Sequence, residues 1–432
     1  MRNTLALTLT AGLSLWPALT LCQTVVDTPS TFTLDAVLAT LGAGAPALRE
    51  AEAELSARRA DIAASSLWSN PQLSASYMRS FGYTTFDPQV GVAQFGVSQL
   101  IEAAGLPGLR RRVAEGEARA SEAALRGLRQ GLRGEAATRF YALDAATARA
   151  ALLRQSEVDA AGLVQRIEAR AAAGLGSRYE TDRAALYLAD LRVARADAES
   201  DLVSTRAAFD ALLGDDAARF RGEASAPETP DDGASEGLGD LDRLLRRALD
   251  RPELEALAAR ARAAGVQVDV ARREVMPGPT LSANVYVGQG YGAQGERQVD
   301  WQVGVSLPLP LANDGRAAAR AAMSRALSAR AAYEFARAQT ERAVRAAFEV
   351  MTARRAAWVG YLSVAARHEG LVGAAERAWL EGRVSLQALL EARDAVRDSR
   401  LRVLDLRREA RQSEARLRTL VGAWPEARGP QP

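Results

Sequence analysis

A chain of 432 residues is long enough for more than one hydrophobic core, and its formal net charge of +2 offers no bulk electrostatic case for nucleic acid. Aromatic residues make up only 6% while charged residues make up 25% and are finely interspersed, which is the profile of long amphipathic helices. Lysine is absent throughout, so Schiff-base and P-loop lysine chemistry are excluded.

Residues 1–22 read MRNTLALTLTAGLSLWPALTLC, with a basic start at Arg2, an apolar run from Leu5 to Leu15 and a break at Pro17. This is the pattern of a secretory signal peptide cleaved near Thr20 to Gln23. Cys22 is the single cysteine: either it accepts an N-terminal lipid, or it is discarded with or inert beside the signal. Leu21 is bulky where lipoprotein signals share a small residue, and a lone cysteine provides no disulfide framework. Downstream there is no run of about 20 apolar residues, so a mature chain that meets a membrane must do so as a β-barrel.

Helical spacing predicts a helix over 34–67, followed by two segments of period two. In 71–81, Leu73, Ala75, Tyr77 and Phe81 alternate with Ser74, Ser76 and Ser80. In 91–101, Ala93, Phe95, Val97 and Ile101 oppose Gln94 and Ser98. A helix over 106–172 would be roughly 100 Å long. The turn 174–177 (Gly174, Leu175, Gly176, Ser177) leads into a helix over 178–213, and the Gly-, Pro-, Ser- and acid-rich stretch 215–240 reads as a linker.

From there the chain repeats itself. PQLSASY at Pro71 returns as PTLSANV at Pro279, 208 residues on, and the same shift carries FGVSQLI onto VGVSLPL, Phe140 onto Phe348 and Gly174 onto Gly382. A gap-free register over roughly 145 positions identifies a tandem duplication. Upstream it loosens by two, with PAL at Pro46 answering PEL at Pro252. The second repeat, 241–422, therefore carries a helix over 241–275, strands over 279–288 and 298–308, a long helix over 316–381, a turn 382–385 (Gly382, Arg383, Val384, Ser385), a helix over 386–421 and a tail from 423. In its last helix Leu389, Val396, Val403 and Leu417 form a heptad seam interrupted by Ala410.

The fold expected is mainly α with a small β part. The two short helices of each repeat sum to nearly the length of the long one, so they can stack end to end alongside it. Four strands per chain cannot close a barrel, whose smallest workable size is about eight strands. The hairpins are then either half-buried on a soluble helical scaffold or the lipid-facing wall of an oligomeric barrel. Two protomers would give eight strands; three would give twelve and an aqueous lumen, which the secretory signal and the polar strand face favour.

FTLDAVLAT near the start, WSNPQLSASY and VMPGPTLSANV ahead of the strands, FGVSQLIEAAGLPGLRRRV and VGVSLPLPLANDGRAAARA after them, and the two glycine turns together resemble the TolC-like outer-membrane efflux proteins, nearest the cobalt-zinc-cadmium resistance branch. The resemblance covers almost the whole mature chain. It implies a homotrimeric channel-tunnel in the Gram-negative outer membrane that extends into the periplasm and works with a periplasmic adaptor and an inner-membrane RND-type pump to export heavy-metal cations or drugs. A duct for type I protein secretion is the alternative on the same fold. It also implies that turns 174–177 and 382–385 dock the adaptor. Family members place acidic residues six and nine positions after the tip glycine; Glu180 and Glu391 match, Arg183 and Ala388 depart, and Asp182 and Asp394 stand close by as further gate candidates. With one histidine, His368, one cysteine and five methionines, neither a resident metal nor a cofactor is expected, and with no nucleophile–base pattern neither is enzymatic activity.

Overall fold

The computed structural model describes residues 31–41, 46–80, 90–102, 105–227, 229, 237–275, 278–289, 297–309, 314–368 and 370–424. The signal segment with Cys22, residue Phe81 and the tail from 425 lie outside them.

In chain order the elements are β1 (Thr31–Phe32), α1 (Leu34–Thr40), α2 (Pro46–Ser65), β2 (Gln72–Ser80), β3 (Val90–Leu100), α3 (Leu106–Ala172), α4 (Arg178–Leu213), a 3-10 helix (Gly214–Phe220), β4 (Glu223–Ala224), α5 (Leu241–Leu249), α6 (Pro252–Arg273), β5 (Thr280–Gln289), β6 (Arg297–Ser306), α7 (Arg316–Arg367), α8 (Leu371–Leu380) and α9 (Leu386–Leu420). The length match holds. Leu48 and Leu55 of α2 pack on Leu125 of α3, and α4 covers the rest of α3, from Arg139, which donates to the Ala208 carbonyl, to the apolar cluster around Leu163 and Leu188. In the second repeat α6 and α9 share α7 in the same way, while α3 also packs on both α6 and α9.

Three helices expected to be continuous are broken. Pro46 and Pro252 are the first residues of α2 and α6, a position that suits a ring with no N–H, and Arg251 before the second proline is extended at φ −70°, ψ 148°. The expected helices 34–67 and 241–275 therefore each divide in two. The third break separates α7 from α8. There His368 Nδ1 lies 2.7 Å from the Val364 carbonyl, and the Leu371 N–H bonds back three residues to the His368 carbonyl. The matching residue of the first repeat, Ala160, is buried in a core cluster inside an unbroken α3. An exposed imidazole satisfying its own helix end has replaced a small core residue that kept the helix running.

Midway along the columns the linker is more structured than its composition suggests. β4 pairs in parallel with β1, and Phe32, Phe140, Phe209 and Phe220 form an aromatic cluster with centroids 5.3–5.9 Å apart around Phe32. Asp144 of α3 accepts from the Ala226 N–H at 3.0 Å and pairs with Arg407 of α9 at 2.7 Å. Arg411 pairs with Glu414, donates to the Thr229 carbonyl and lies 5.2 Å from the Trp358 ring centre. All four of these charged side chains are buried, so each depends on its partners. Trp424 is also buried here and donates to Thr419 Oγ1, which fastens the start of the expected tail. Ala410, which interrupts the heptad seam in type, is fully buried beside Trp358 and Leu406; its small size admits the indole.

Candidate functional site

The four long strands form one antiparallel sheet in the order β2-β3-β5-β6. Its register aligns apolar residues across the sheet: Leu73, Val97, Ala283, Val303 in one row and Ala75, Phe95, Val285, Trp301 in the next. Side chains alternate faces along a strand, so the intervening rows lie opposite: Ser74, Gly96, Asn284, Gln302 and Ser76, Gln94, Tyr286, Asp300. The second face is knitted by side-chain hydrogen bonds. Ser76 donates to Gln94 Oε1 at 3.2 Å, Gln94 Nε2 to Asn284 Oδ1 at 3.2 Å, and Tyr286 to Gln302 Oε1 at 2.7 Å. The apolar face has no helix over it: Leu73, Tyr77, Phe95, Val285, Trp301, Val303 and Val305 are all exposed. The reading of the hairpins as packed on a soluble scaffold required this face to be covered. No described helix is long and apolar enough to cross a membrane.

Where the chain leaves and enters the sheet, Arg110 bridges Glu102 at 3.0 Å and Glu274 at 3.4 Å, joining the base of both repeats.

At the far end of the columns are the two glycine turns. Gly174 and Gly382 have φ of +74° and +72°, which an L side chain rarely adopts. Each closes its helix with the same pair of bonds: Leu175 N–H to the Arg170 carbonyl and Gly174 N–H to Ala171, then Arg383 to Ala378 and Gly382 to Trp379. Ser177 and Ser385 cap the helices that follow, accepting from Glu180 N–H and Ala388 N–H, each at 3.2 Å. Only the first turn has the reciprocal bond, Ser177 N–H to Glu180 Oε2 at 3.1 Å. Leu175 and Tyr179 project from the first turn, each 71% exposed.

The four acidic candidates occupy different environments. Glu180 is committed to its cap, Asp182 lies 3.9 Å from Arg178, and Glu391 accepts from Gln387 at 2.9 Å. Asp394 is drawn inward, 2.6 Å from Arg397 and hydrogen-bonded with the Tyr187 hydroxyl. Burial, reinforced by Asp394, pushes the Tyr187 phenol up to about 12. Burial alone would lower Arg397, but Asp398 and Asp394 outweigh it and the guanidinium is held more firmly charged. Arg393 links this cluster to Glu376 of α8 at 3.1 Å, and Arg170 stacks 4.8 Å from the Trp379 ring centre. Tyr187 was not legible as a site residue, because its partner Asp394 lies on the other repeat, and Arg393 was not, because it reaches Glu376 on a different helix; Arg397 carries a local signal in its i, i+3 pair with Asp394. No cluster of three or more metal-ligating side chains is present among the described residues.

The family described as outer membrane efflux protein matches residues 37–215 and 244–423. Among solved structures, the outer-membrane channel OprN is 21% identical over 90% of each chain with a TM-score of 0.75. The Campylobacter jejuni CmeC outer membrane channel is 16% identical, covering 91% of this chain and 86% of its own, with a TM-score of 0.75. CusC, whose structures concern folding and transmembrane channel formation, is 16% identical over 90% of this chain and 91% of its own, with a TM-score of 0.72. No curated protein sequence is significantly similar.

Proposed function

Since the chain belongs to the outer membrane efflux protein family, we propose that three copies close their sheets into one twelve-stranded barrel and form the exit duct of a tripartite efflux system. The observation that carries this reading is the sheet: apolar and uncovered on one face, polar and hydrogen-bonded on the other, and too narrow to close alone. The helical columns prolong the polar face as a periplasmic tube, and the duct conducts passively. Its partners are a periplasmic adaptor and an inner-membrane RND-type pump, and its substrates are heavy-metal cations or drugs. Gly174 to Ser177 and Gly382 to Ser385 form the adaptor-docking tips; rigid capped turns with an exposed Leu175 suit a hairpin partner. Asp182, Glu391 and the capped Glu180 give the aperture an acidic lining that favours cations. Asp394, clamped by Arg397 and Tyr187, holds α9 to α4 in the closed arrangement.

Purified protein should co-sediment with outer membranes and give stepwise conductance in planar bilayers. Asp182→Asn combined with Glu391→Gln should lower its cation selectivity. A soluble periplasmic monomer without conductance would overturn the reading.

A further inference from the structure

α9 packs against both α3 and α7, and where the three meet, beside the helix break at His368, they border a cavity of about 380 Å³. Its floor is one face of α9, where Val396, Ser399, Arg400, Val403, Leu404 and Arg407 recur at helical spacing over about 16 Å. Leu152 of α3 with Leu362 and Ala365 of α7 form the walls. Among the described residues no carboxylate lines it, while Arg400, Arg407 and His368 do. A mostly apolar concavity of this size with a few convergent polar groups is the usual form of a small-molecule site. We infer that it binds an amphiphilic organic anion, a carboxylate on a compact apolar body, with the carboxylate on Arg400 and the body held between α3 and α7.

The class of ligand follows from the first repeat, where the chain itself supplies the carboxylate. Glu157 of α3 is only 16% exposed and is clasped by two arginines of α4, Arg192 at 3.2 Å and Arg195 at 2.9 Å. One turn away Arg154 of α3 pairs with Glu199 of α4 at 3.0 Å. The 208-residue shift carries Glu157 to Ala365, Arg195 to Val403 and Arg154 to Leu362, all three apolar and all three on the wall or floor of the cavity. It carries Arg192 to Arg400, so one arginine of the clasp is kept after its carboxylate has gone. Arg400 is exposed and has no ion pair among the described residues. Conversion of the groove to plain apolar packing would have removed this cation as well and brought the side chains into contact. A carboxylate on an apolar body answers both departures: its charge takes the place of Glu157, and its body fills the space between Leu362 and Val403.

Arg407 carries the same preference for an anion. It is the repeat-mate of Glu199, so the sign of the charge at this position is reversed. Its side chain is 8% exposed, Nη2 is held by Asp144 at 2.7 Å, and Nε is buried with no hydrogen-bond partner among the described residues. A buried donor left open costs free energy that an acceptor brought into the cavity recovers. Every lining residue belongs to one chain, and both flanks of α9 are covered by helices of that chain. The site is therefore complete in each protomer, and the inference stands apart from the duct reading.

Isothermal titration of the full-length protein in lipid nanodiscs with 2-naphthoate, against empty nanodiscs, should give saturable binding of one molecule per protomer. 2-Naphthylmethanol, the same body without the charge, should bind about tenfold more weakly, and Arg400→Gln should weaken 2-naphthoate by about the same factor. Arg402→Gln, which removes an exposed arginine of α9 outside the cavity, should leave binding unchanged. Ala365→Glu restores the carboxylate of the first repeat beside Arg400; it should abolish binding while the melting temperature stays at or above that of the wild type. The inference is overturned by the absence of saturable binding, by an alcohol bound as tightly as the acid, by equal losses in Arg400→Gln and Arg402→Gln, or by a folded Ala365→Glu that binds like the wild type. Conductance without 2-naphthoate binding removes the site and leaves the duct; binding without conductance removes the duct and leaves the site.

Discussion

The two repeats share a frame but are held at mid-height by different means. In the first, an aromatic cluster around the fully buried Phe140 and a buried Asp144 receive β1, the 3-10 helix and β4. In the second, an aliphatic cluster of Leu244, Val344, Met351 and Leu417 does the work, Phe348 is only partly buried and Thr352 stands exposed where Asp144 is buried. Positions that shape the backbone, the tip glycines, the capping serines and the strand alternation, agree between repeats because both perform the same turn or meet the same medium. Positions that choose a packing partner differ, because β4 and Ala226 dock on the first repeat while Leu238, near the linker's end, packs into the second.

That contrast is sharpest at Asp144. Asp144→Ala strands the buried Arg407 and the Ala226 N–H and should cost about 3–5 kcal/mol of stability in thermal unfolding, whereas Thr352→Ala should stay within about 0.5 kcal/mol. Equal losses would show that the equator does not distinguish the repeats. On the sheet the repeats should behave alike: Val303→Arg and its repeat-mate Phe95→Arg should each lose about 2–4 kcal/mol and fail to assemble in outer membranes. Gln302→Arg on the polar face should assemble normally, and failure there would remove the distinction between faces.

At the tips the difference becomes pH-dependent. Tyr187 has Ala395 as its repeat-mate, so only one repeat places a phenol against Asp394. Its pKa is raised from 10.0 to about 12, so the neutral form is favoured in the folded state. The stability it contributes is fully present below pH 10 and is lost as pH rises through the folded value, on the order of 2 kcal/mol. Circular dichroism melts between pH 10 and 12 should show this loss in the wild type and not in Tyr187→Phe. The smallest effect separates the caps: Ser177→Ala should cost about 1 kcal/mol and Ser385→Ala rather less, since only the former also disrupts the reciprocal bond of Glu180. Helicity against temperature would rank the two, and a reversed order would show that Glu180 adds nothing to its cap.

Much of this architecture is legible in the chain. The strands read from alternation are β2, β3, β5 and β6, whose helix-side ends lie within two residues of those read, and the tip turns contain the glycines and serines that mark them. The helix breaks at Pro46 and Pro252 were legible in principle, since proline starts a helix better than it continues one; the break at His368 was not, because Gly162, the repeat-mate of Gly370, remains inside an unbroken helix. Among the gate candidates, proximity to the tip located the acidic residues but not their commitments, which place Glu180 in a cap and the half-buried Asp394 against buried Tyr187 and half-buried Arg397.

What the sequence by itself determined is the set of properties carried by short-range physics: period two or 3.6, left-handed glycine, capping serine, and a duplication whose single offset repeats them. What only the tertiary structure decided is which of the duplicated surfaces meet. The order β2-β3-β5-β6, the docking of Trp424 and the pairing of Asp144 with Arg407 across 263 positions have no local signature. They depend on side-chain volumes and charges that become neighbours only after the columns have packed, where a buried charge is stable with one particular partner and costly with any other.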